Sequence, residues 1–210
     1  MQSFNLEGIK FFFDILKNPR LAIPHYHVPD IRRISAGRLK EVGIKGVIFD
    51  KETTLTLPYS LSLVPYLLES VSEFSHYFPK KLAILSNSAG TLDDPDYKKA
   101  KRIEEHLVIP VIRHNEKKPN GIESIQEFFD CPASELAIIG DRSFTDVAYG
   151  NRYEMLTIKV DPFTSKGDNL MVRRVVRPLE NHLVNKWIAR GYTAPKHKYQ
   201  SPTILTGSTH

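Results

Sequence analysis

The sequence predicts a doubly wound α/β domain built on a parallel sheet. Short apolar segments alternate along the chain with helical patterns, which is typical of such folds. Residues 82–85 and 136–139 are apolar without alternating polar positions, so they indicate strands that are buried on both faces. With 210 residues and 41% hydrophobic content, the chain can bury one sizeable core. We therefore expect a single domain of this class.

The elements follow one another in a regular order. The predicted strands cover residues 44–50, 81–87, 108–112, 135–141 and 155–160. The predicted helices lie between them, at residues 63–76, 95–107, 121–129 and 145–152. This alternation favours crossover connections between parallel strands.

Three segments make up the predicted domain organisation. Residues 1–40 form an amphipathic segment that faces a membrane, residues 41–185 form the α/β domain, and residues 186–210 form a C-terminal tail. The tail has little periodicity, so we expect it to be mobile.

The amphipathic segment allows two interpretations. Its apolar residues are Ile9, Phe11, Phe12, Phe13, Ile15 and Leu16, interspersed with Lys10, Lys17 and Arg20. One interpretation is a helix lying in a membrane interface; the other is a helix that packs its aromatic face on the domain. The segment is too short for a secretory signal, and Glu7 and Asp14 are untypical of a mitochondrial presequence.

The charge, the single cysteine and the apolar runs of the chain bear on its binding partners and its cellular compartment. The net charge of +5 and the pI of about 9.2 suit a phosphorylated substrate, an anionic membrane surface or nucleic acid, although ordinary surface charge gives the same values. Cys131 is the only cysteine, which excludes an intramolecular disulfide and favours a reducing compartment. No apolar run reaches the roughly 18 residues that indicate a transmembrane helix.

Polar side chains follow four of the predicted strands. They are Asp50, Glu52 and Thr54 after the first, Ser86 and Asn87 after the second, Lys117 and Lys118 after the third, and Asp141, Arg142 and Asp146 after the fourth. Ligands of open α/β sheets bind beyond the carboxyl ends of the strands. Because residues i and i+2 of an extended strand end project to the same side, Asp50 and Glu52 could meet one substrate.

These residue types suit phosphoryl transfer. One carboxylate can attack phosphorus, and a second can protonate the leaving oxygen and then deprotonate water. A serine hydroxyl and a lysine ammonium can hold the phosphoryl oxygens, while further carboxylates with a backbone carbonyl can hold Mg²⁺. Each feature alone is common at turns and surfaces. Four of them in order, at successive strand ends, are specific.

The residues 50–54, with an apolar strand before them, resemble the first motif of the haloacid dehalogenase (HAD) superfamily, Asp-x-Asp-x-Thr. The resemblance covers residues 44–160 and implies an aspartyl-phosphate mechanism with Mg²⁺. The implied catalytic residues are Asp50 as nucleophile, Glu52 as general acid and base, Ser86 and Lys118. The implied substrate-binding residues are Thr54, Asn87, Lys118 and Arg142. The implied metal ligands are Asp50, Asp141, Asp146 and the backbone carbonyl of Glu52.

No cap domain fits this sequence. Only 35 residues separate Asp50 from Ser86, and 31 separate Ser86 from Lys118. A helix, a strand and their connections nearly fill each gap. An uncapped site admits a phosphate group carried by a protein, a nucleic acid or a membrane lipid.

Longer stretches resemble one subfamily, the fungal mitochondrial phosphatidylglycerophosphatases. They lie at residues 21–29, 86–90, 96–97, 109–114, 117–119 and 140–147. The resemblance implies conversion of phosphatidylglycerophosphate to phosphatidylglycerol, on the route to cardiolipin, by a peripheral protein at the matrix face of the inner mitochondrial membrane. No nucleic acid is expected as a partner. Basic residues that could face the membrane are Lys10, Lys17, Arg20, Arg32 and Arg33, with Arg173, Arg174 and Arg177 as further candidates.

Glu52 stands where the motif has aspartate. Its carboxyl lies one methylene farther from the backbone, and a misplacement of about 1 Å can cost about a hundredfold in rate. Since the other site positions are intact, we expect an active phosphatase in which Glu52→Asp is at least as active. Two alternatives stay open: a capless HAD phosphatase acting on phosphoproteins or nucleic-acid ends, and a catalytically weak membrane-associated binding protein.

Overall fold

One parallel sheet of five strands forms the centre of the molecule. The computed structural model describes residues 6–118, 120–164 and 172–206. The strands are β1 (Tyr26–Val28), β2 (Gly46–Phe49), β3 (Leu82–Ile84), β4 (Leu136–Gly140) and β5 (Leu156–Val160), in the spatial order β1-β5-β4-β2-β3. Every neighbouring pair is parallel. The predicted α/β class is confirmed.

Helices cover both faces of this sheet. They are α1 (Leu6–Lys17), α2 (Ala36–Glu41), α3 (Leu68–Tyr77), α4 (Lys98–Leu107), α5 (Glu123–Phe129), α6 (Ala148–Arg152) and α7 (Arg177–Ala189). Val47 and Phe49 of β2 join a core cluster with residues of α2, α3 and α4, whereas Ile48 joins a second cluster with residues of α5 and α6. Successive side chains of a strand point to opposite faces, so both faces of β2 are buried.

The two connections predicted to be too short for a cap each contain one α-helix. Residues 51–85 hold α3 and residues 87–117 hold α4, and every residue of both connections is described. The site at the strand ends is therefore capless, as expected.

The third predicted strand is almost absent. Within residues 108–112, only Val111 bridges to β3, opposite Ile84. Ile84 donates to the carbonyl of Pro110, and Ile112 donates to the carbonyl of Ile84. Pro110 has no N–H group, and Val108 has a left-handed φ of 55°, so neither continues a regular ladder.

An edge strand lies within residues 1–40, the segment predicted to face a membrane. Tyr26–Val28 pairs with β5, with Tyr26 opposite Ile158 and Val28 opposite Val160. Only three residues long and bounded by Pro24 and Pro29, β1 lacks a recognisable strand pattern. The boundary at residue 40 is therefore corrected: the sheet begins before it.

The C-terminal segment is packed rather than loose up to residue 206, which corrects the expectation of a mobile tail from residue 186. Helix α7 continues to Ala189. Beyond it, Ile204 is fully buried in the larger core cluster, and Leu205 bridges to Ile34. Tyr26 donates its hydroxyl hydrogen to the carbonyl of Ser201 at 2.8 Å. A few apolar anchors therefore hold a mainly polar segment; residues 207–210 lie outside the described residues.

Helix α1 packs one face on the domain and leaves another exposed. Phe11 and Ile15 are buried in a cluster with Val184 and Trp187 of α7, among others. Phe13 and Leu16 are 54% and 40% exposed. Packing on the domain therefore explains the apolar residues on the buried face of α1, but not Phe13 and Leu16 on its exposed face. No helix among the described residues has both the length and the apolar character needed to cross a bilayer.

Candidate active site

The order of the strands brings the predicted motifs together. Strand β2 lies between β4 and β3, and the residues that follow these three strands are Asp50, Asp141 and Ser86. The backbone N–H of Asp50 donates to the carbonyl of Ile139 at 2.9 Å, which extends the ladder to the end of β2. Because parallel strands end at one edge of the sheet, residues far apart in sequence meet there.

Lys118 links two of the predicted acids. Its Nζ lies 2.8 Å from Asp50 Oδ1 and also donates to Asp146 Oδ1. All three side chains are largely or fully buried. The arrangement places a cation beside the proposed nucleophile, where negative charge on a transferring phosphoryl group would gather.

The surroundings raise the pKa of both Asp50 and Lys118, which disfavours the charged form of the acid and favours the charged form of the lysine. Burial raises the pKa of Asp50 to about 7; Asp146 and Asp141 add to the rise, and Lys118 counteracts it. Burial alone would lower the pKa of Lys118, but Asp146 and Asp50 outweigh it and raise that pKa above its ordinary value. Lys118 therefore carries its charge at neutral pH and favours the ionised form of Asp50.

Asp141 has partners from two distant segments. Its Oδ2 accepts hydrogen bonds from Thr53 Oγ1 and from Arg177 Nη1, both at 2.6 Å. Burial raises the pKa of Asp141, Asp146 adds to the rise, and Arg177 and Thr53 oppose it. Arg177, at the start of α7, was predicted to face an anionic surface; the structure places it at the edge of the site instead.

Three aspartates form a cluster that could hold a metal ion. Asp50, Asp141 and Asp146 each offer a carboxylate oxygen, and these oxygens lie within 4.8 Å of one another. Gly140 makes the approach of Asp146 possible, because a Cβ atom at residue 140 would lie 2.5 Å from the carboxylate carbon of Asp146. Hard oxygen donors of this kind fit Mg²⁺. Glu52 is not part of the cluster through its side chain.

Ser86 and Asn87 support the neighbouring loops. Ser86 is buried, and its Oγ lies 3.0 Å from Ser88 Oγ. Asn87 Oδ1 accepts from the backbone N–H of Lys118 at 2.9 Å. Asn87 therefore helps to position Lys118, and its role in binding substrate stays a prediction.

Glu52 is held by its own loop. Its Oε1 lies 2.8 Å from Lys51 Nζ, and its Oε2 accepts from the backbone N–H of Tyr59 at 2.7 Å. The length of the glutamate side chain suits both contacts. Its role as general acid and base stays a prediction.

Thr54 and Arg142 are two further residues predicted to bind substrate. Thr54 is buried, and its hydroxyl has no hydrogen-bond partner among the described residues. Arg142 Nε donates to Glu180 Oε2 of α7 at 3.0 Å. Glu180 also accepts from the backbone N–H of Phe144, so it fixes the loop that precedes Asp146.

Sequence reasoning missed several supporting residues. They are Thr53, His114, Arg177 as a site residue, and Glu180. His114 is buried, and its two ring nitrogens lie against the backbone carbonyls of Ser86 and Glu116. Its place inside the motif before Lys118 was the only signal in the sequence. Arg177 and Glu180 had none, because α7 meets the site only through the tertiary fold.

Comparison with known proteins identifies the family of this chain. The family model described as mitochondrial PGP phosphatase matches residues 6–163. No solved structure is significantly similar to this chain.

Three relatives illustrate the similarity. The chain is 40% identical over 199 residues to phosphatidylglycerophosphate phosphatase 1, chloroplastic, of Chlamydomonas reinhardtii, covering 93% of this chain and 74% of that protein. It is 40% identical over 203 residues to phosphatidylglycerophosphate phosphatase 1, chloroplastic/mitochondrial, of Arabidopsis thaliana, covering 95% of this chain but 58% of that protein. It is 34% identical over 153 residues to the mitochondrial phosphatidylglycerophosphatase of Saccharomyces cerevisiae. The match covers 70% of this chain and 82% of that protein.

Proposed function

Because the chain belongs to the mitochondrial PGP phosphatase family, we propose that it hydrolyses the terminal phosphate monoester of phosphatidylglycerophosphate and releases phosphatidylglycerol. The relatives named for this substrate support the proposal. The observation that carries it is the contact of Lys118 with Asp50 beside the aspartate cluster, because it joins a nucleophile, a phosphate-binding cation and metal ligands in one place.

In the first step, a carboxylate oxygen of Asp50 attacks phosphorus. The bond between phosphorus and the glycerol oxygen breaks, and that oxygen takes a proton from Glu52 to leave as the alcohol. Lys118 and Ser86 hold the phosphoryl oxygens while their charge shifts. The products of this step are phosphatidylglycerol and a phosphorylated Asp50.

In the second step, water attacks the phosphorus of this aspartyl-phosphate. Glu52, now ionised, takes a proton from the water, and the bond between phosphorus and the Asp50 oxygen breaks. Inorganic phosphate leaves, and both carboxyl groups return to their starting states.

Asp50, Asp141 and Asp146 would hold Mg²⁺, together with the backbone carbonyl of Glu52. When bound, the ion supplies positive charge to the phosphoryl oxygens. Lys118 contacts Asp50 and Asp146, and Arg177 contacts Asp141. These two cations therefore compete with the ion for the three carboxylates.

We place the enzyme at the matrix face of the inner mitochondrial membrane, on a surface of anionic lipid. The family description and the yeast relative support a mitochondrial location, whereas the algal relative makes a plastid membrane the alternative. Exposed Phe13 and Leu16, with the exposed Lys10 and Lys17 beside them, suit an interfacial contact.

The test is phosphate release by the purified full chain from phosphatidylglycerophosphate in mixed micelles, a phosphopeptide and a 5′-phosphorylated oligonucleotide. We expect activity on the lipid, its loss with a chelator and its recovery with Mg²⁺. Asp50→Asn should abolish it, while Asp96→Asn, which removes an exposed carboxylate outside the site, should not. Unchanged turnover in Asp50→Asn, or preference for the peptide or oligonucleotide, would overturn the proposal.

A further inference from the structure

A cleft of about 240 Å³ adjoins the proposed catalytic residues. Residues that line it include Lys51, Glu52, Tyr59, Ser88, Lys99 and Arg102. The cleft combines three cations with one carboxylate, so its net charge is positive. Leu61, Ala89 and Ile103 contribute apolar surface to the same cleft.

Two of these cations form no ion pair with a carboxylate among the described residues. Lys51 is buried and pairs with Glu52 at 2.8 Å. Lys99 and Arg102 lie on α4 with exposed side chains, and no carboxylate among the described residues is within ion-pair distance of either. A concave site lined by more cations than carboxylates favours an anionic ligand.

The cleft borders the proposed catalytic edge of the sheet. Glu52 lines it, and Glu52 follows Asp50 by two residues. Ser88 also lines it, and Ser88 Oγ lies 3.0 Å from Ser86 Oγ. A ligand in the cleft would therefore lie beside the proton donor and the phosphoryl-binding hydroxyl of the proposed reaction.

We propose that this cleft binds the phosphodiester and the adjoining glycerol of the phospholipid substrate, with Lys99 and Arg102 as ligands of the diester. This inference rests on the proposed function and deepens it. The substrate carries two phosphate groups at the ends of one glycerol. The diester in the cleft would direct the terminal monoester toward Asp50.

The apolar surface beside Lys99 and Arg102 suits this ligand better than a free phosphate. The diester carries one negative charge, and Lys99 and Arg102 can donate charge-assisted hydrogen bonds to its oxygens. The glycerol and ester carbons would contact Leu61, Ile103 and the ring of Tyr59, which is 80% exposed. The two side chains are specificity determinants, because they contact the part of the substrate that does not react.

The test compares two lipid monoesters, phosphatidylglycerophosphate and phosphatidic acid, in the same mixed micelles. Phosphatidic acid has a terminal phosphate but no diester. For the double variant Lys99→Ala/Arg102→Ala, we expect KM for phosphatidylglycerophosphate to rise about tenfold or more, with kcat nearly unchanged. The kcat/KM for phosphatidic acid should stay within about twofold of the parent value.

A matched control separates the cleft from general surface charge. Lys98→Ala/Lys101→Ala removes the same charge from exposed positions of α4 outside the cleft, and it should leave both substrates unaffected. An equal loss on both lipids in the cleft variant, or an equal loss in the control variant, would overturn the proposal in favour of non-specific attraction. No change in KM for phosphatidylglycerophosphate would also overturn it.

A binding measurement needs no turnover. Soluble glycerophosphoglycerol, a diester without a monoester, should bind the parent protein, and the charge-reversal variant Lys99→Glu/Arg102→Glu should lose that binding. The melting temperature of the variant, compared with that of the parent protein, reports that the variant is folded. Absence of diester binding by the parent protein contradicts the cleft proposal. Absence of hydrolysis by the parent contradicts the proposed function instead.

Discussion

Arg177 Nη1 lies 2.6 Å from Asp141 Oδ2 and joins the start of α7 to the end of β4. The two side chains are 13% and 2% exposed. This buried pair connects a helix near the C-terminus to a carboxylate of the aspartate cluster. The charge of the proposed metal site therefore depends on Arg177, which follows the last predicted strand in the chain.

We expect Arg177→Gln to lower the free energy of unfolding of the metal-free protein by about 3–5 kcal/mol, because Asp141 loses the partner of a buried ion pair. A bound cation can replace that partner. Mg²⁺ should therefore raise the Tm of the variant more than it raises the Tm of the parent protein. Thermal unfolding in a chelator and in millimolar Mg²⁺ measures both effects.

Lys186→Gln is the control, because Lys186 is an exposed cation of the same helix. It should leave both melting temperatures close to those of the parent. Equal Mg²⁺-dependent shifts in Arg177→Gln and the parent would show that Arg177 and the ion do not compete for Asp141.

Glu52 leads to a prediction that differs from the one made from sequence. Since Glu52 Oε2 accepts from the N–H of Tyr59 and Oε1 contacts Lys51, the loop is built around a glutamate. Aspartate would withdraw the carboxyl by one methylene. We now expect Glu52→Asp to lower kcat about tenfold to a hundredfold, and Glu52→Gln to lower it by at least about a hundredfold.

Steady-state rates on phosphatidylglycerophosphate measure these losses. Glu69→Asp makes the same substitution at an exposed position of α3, and it should leave kcat unchanged. If Glu52→Asp is as active as the parent, the contacts with Lys51 and Tyr59 do not set the catalytic geometry.

His25 gives the fold a dependence on pH. Its Nδ1 accepts a hydrogen bond from the backbone N–H of Thr157 at 3.1 Å, so protonation would break that bond. Burial lowers the pKa of His25 from 6.5 to about 4; the nearby ring of His197 adds to this, and a contact with Pro195 opposes it. The unfolded chain therefore takes up a proton at a higher pH than the folded one.

Stability should fall as the pH drops from about 6.5 to about 4, and this histidine alone accounts for about 3 kcal/mol of the loss. Urea unfolding at pH 7 and at pH 4.5 measures it. His25→Asn should show a smaller difference between the two pH values than the parent, whereas His76→Gln at an exposed position should not. An unchanged pH dependence in His25→Asn would exclude His25 as its source.

Ile204 tests whether the C-terminal segment stabilises the fold. It is fully buried in the larger core cluster. Ile204→Ala should lower the free energy of unfolding by about 2–5 kcal/mol, because it leaves a cavity and removes buried apolar surface. Leu92→Ala, at a side chain that is 71% exposed, should cost far less. Equal unfolding midpoints for the two variants would mean that the segment from residue 192 contributes little to stability.

The local motifs were sufficient to predict which acids lie together in the candidate site. Asp50, Ser86, Asp141 and Asp146 follow strands or turns whose apolar runs are visible in the sequence, and the parallel topology then brings them to one edge. Thr54, Asn87 and Arg142 were assigned by motif position alone. Their contacts depend on side-chain direction and on distant partners, which a motif does not contain.

The amino-acid sequence was enough to establish the α/β class, the capless connections and the residue types at the strand ends, because hydrophobic patterning and chain length act locally. The pairing of Arg177 with Asp141, the edge strand Tyr26–Val28 and the buried Ile204 arise from contacts between segments far apart in the chain. In the edge strand only Val28 is buried, so that strand leaves no apolar run in the sequence. The positions of these segments are set by the surfaces that the larger sheet and helices offer them.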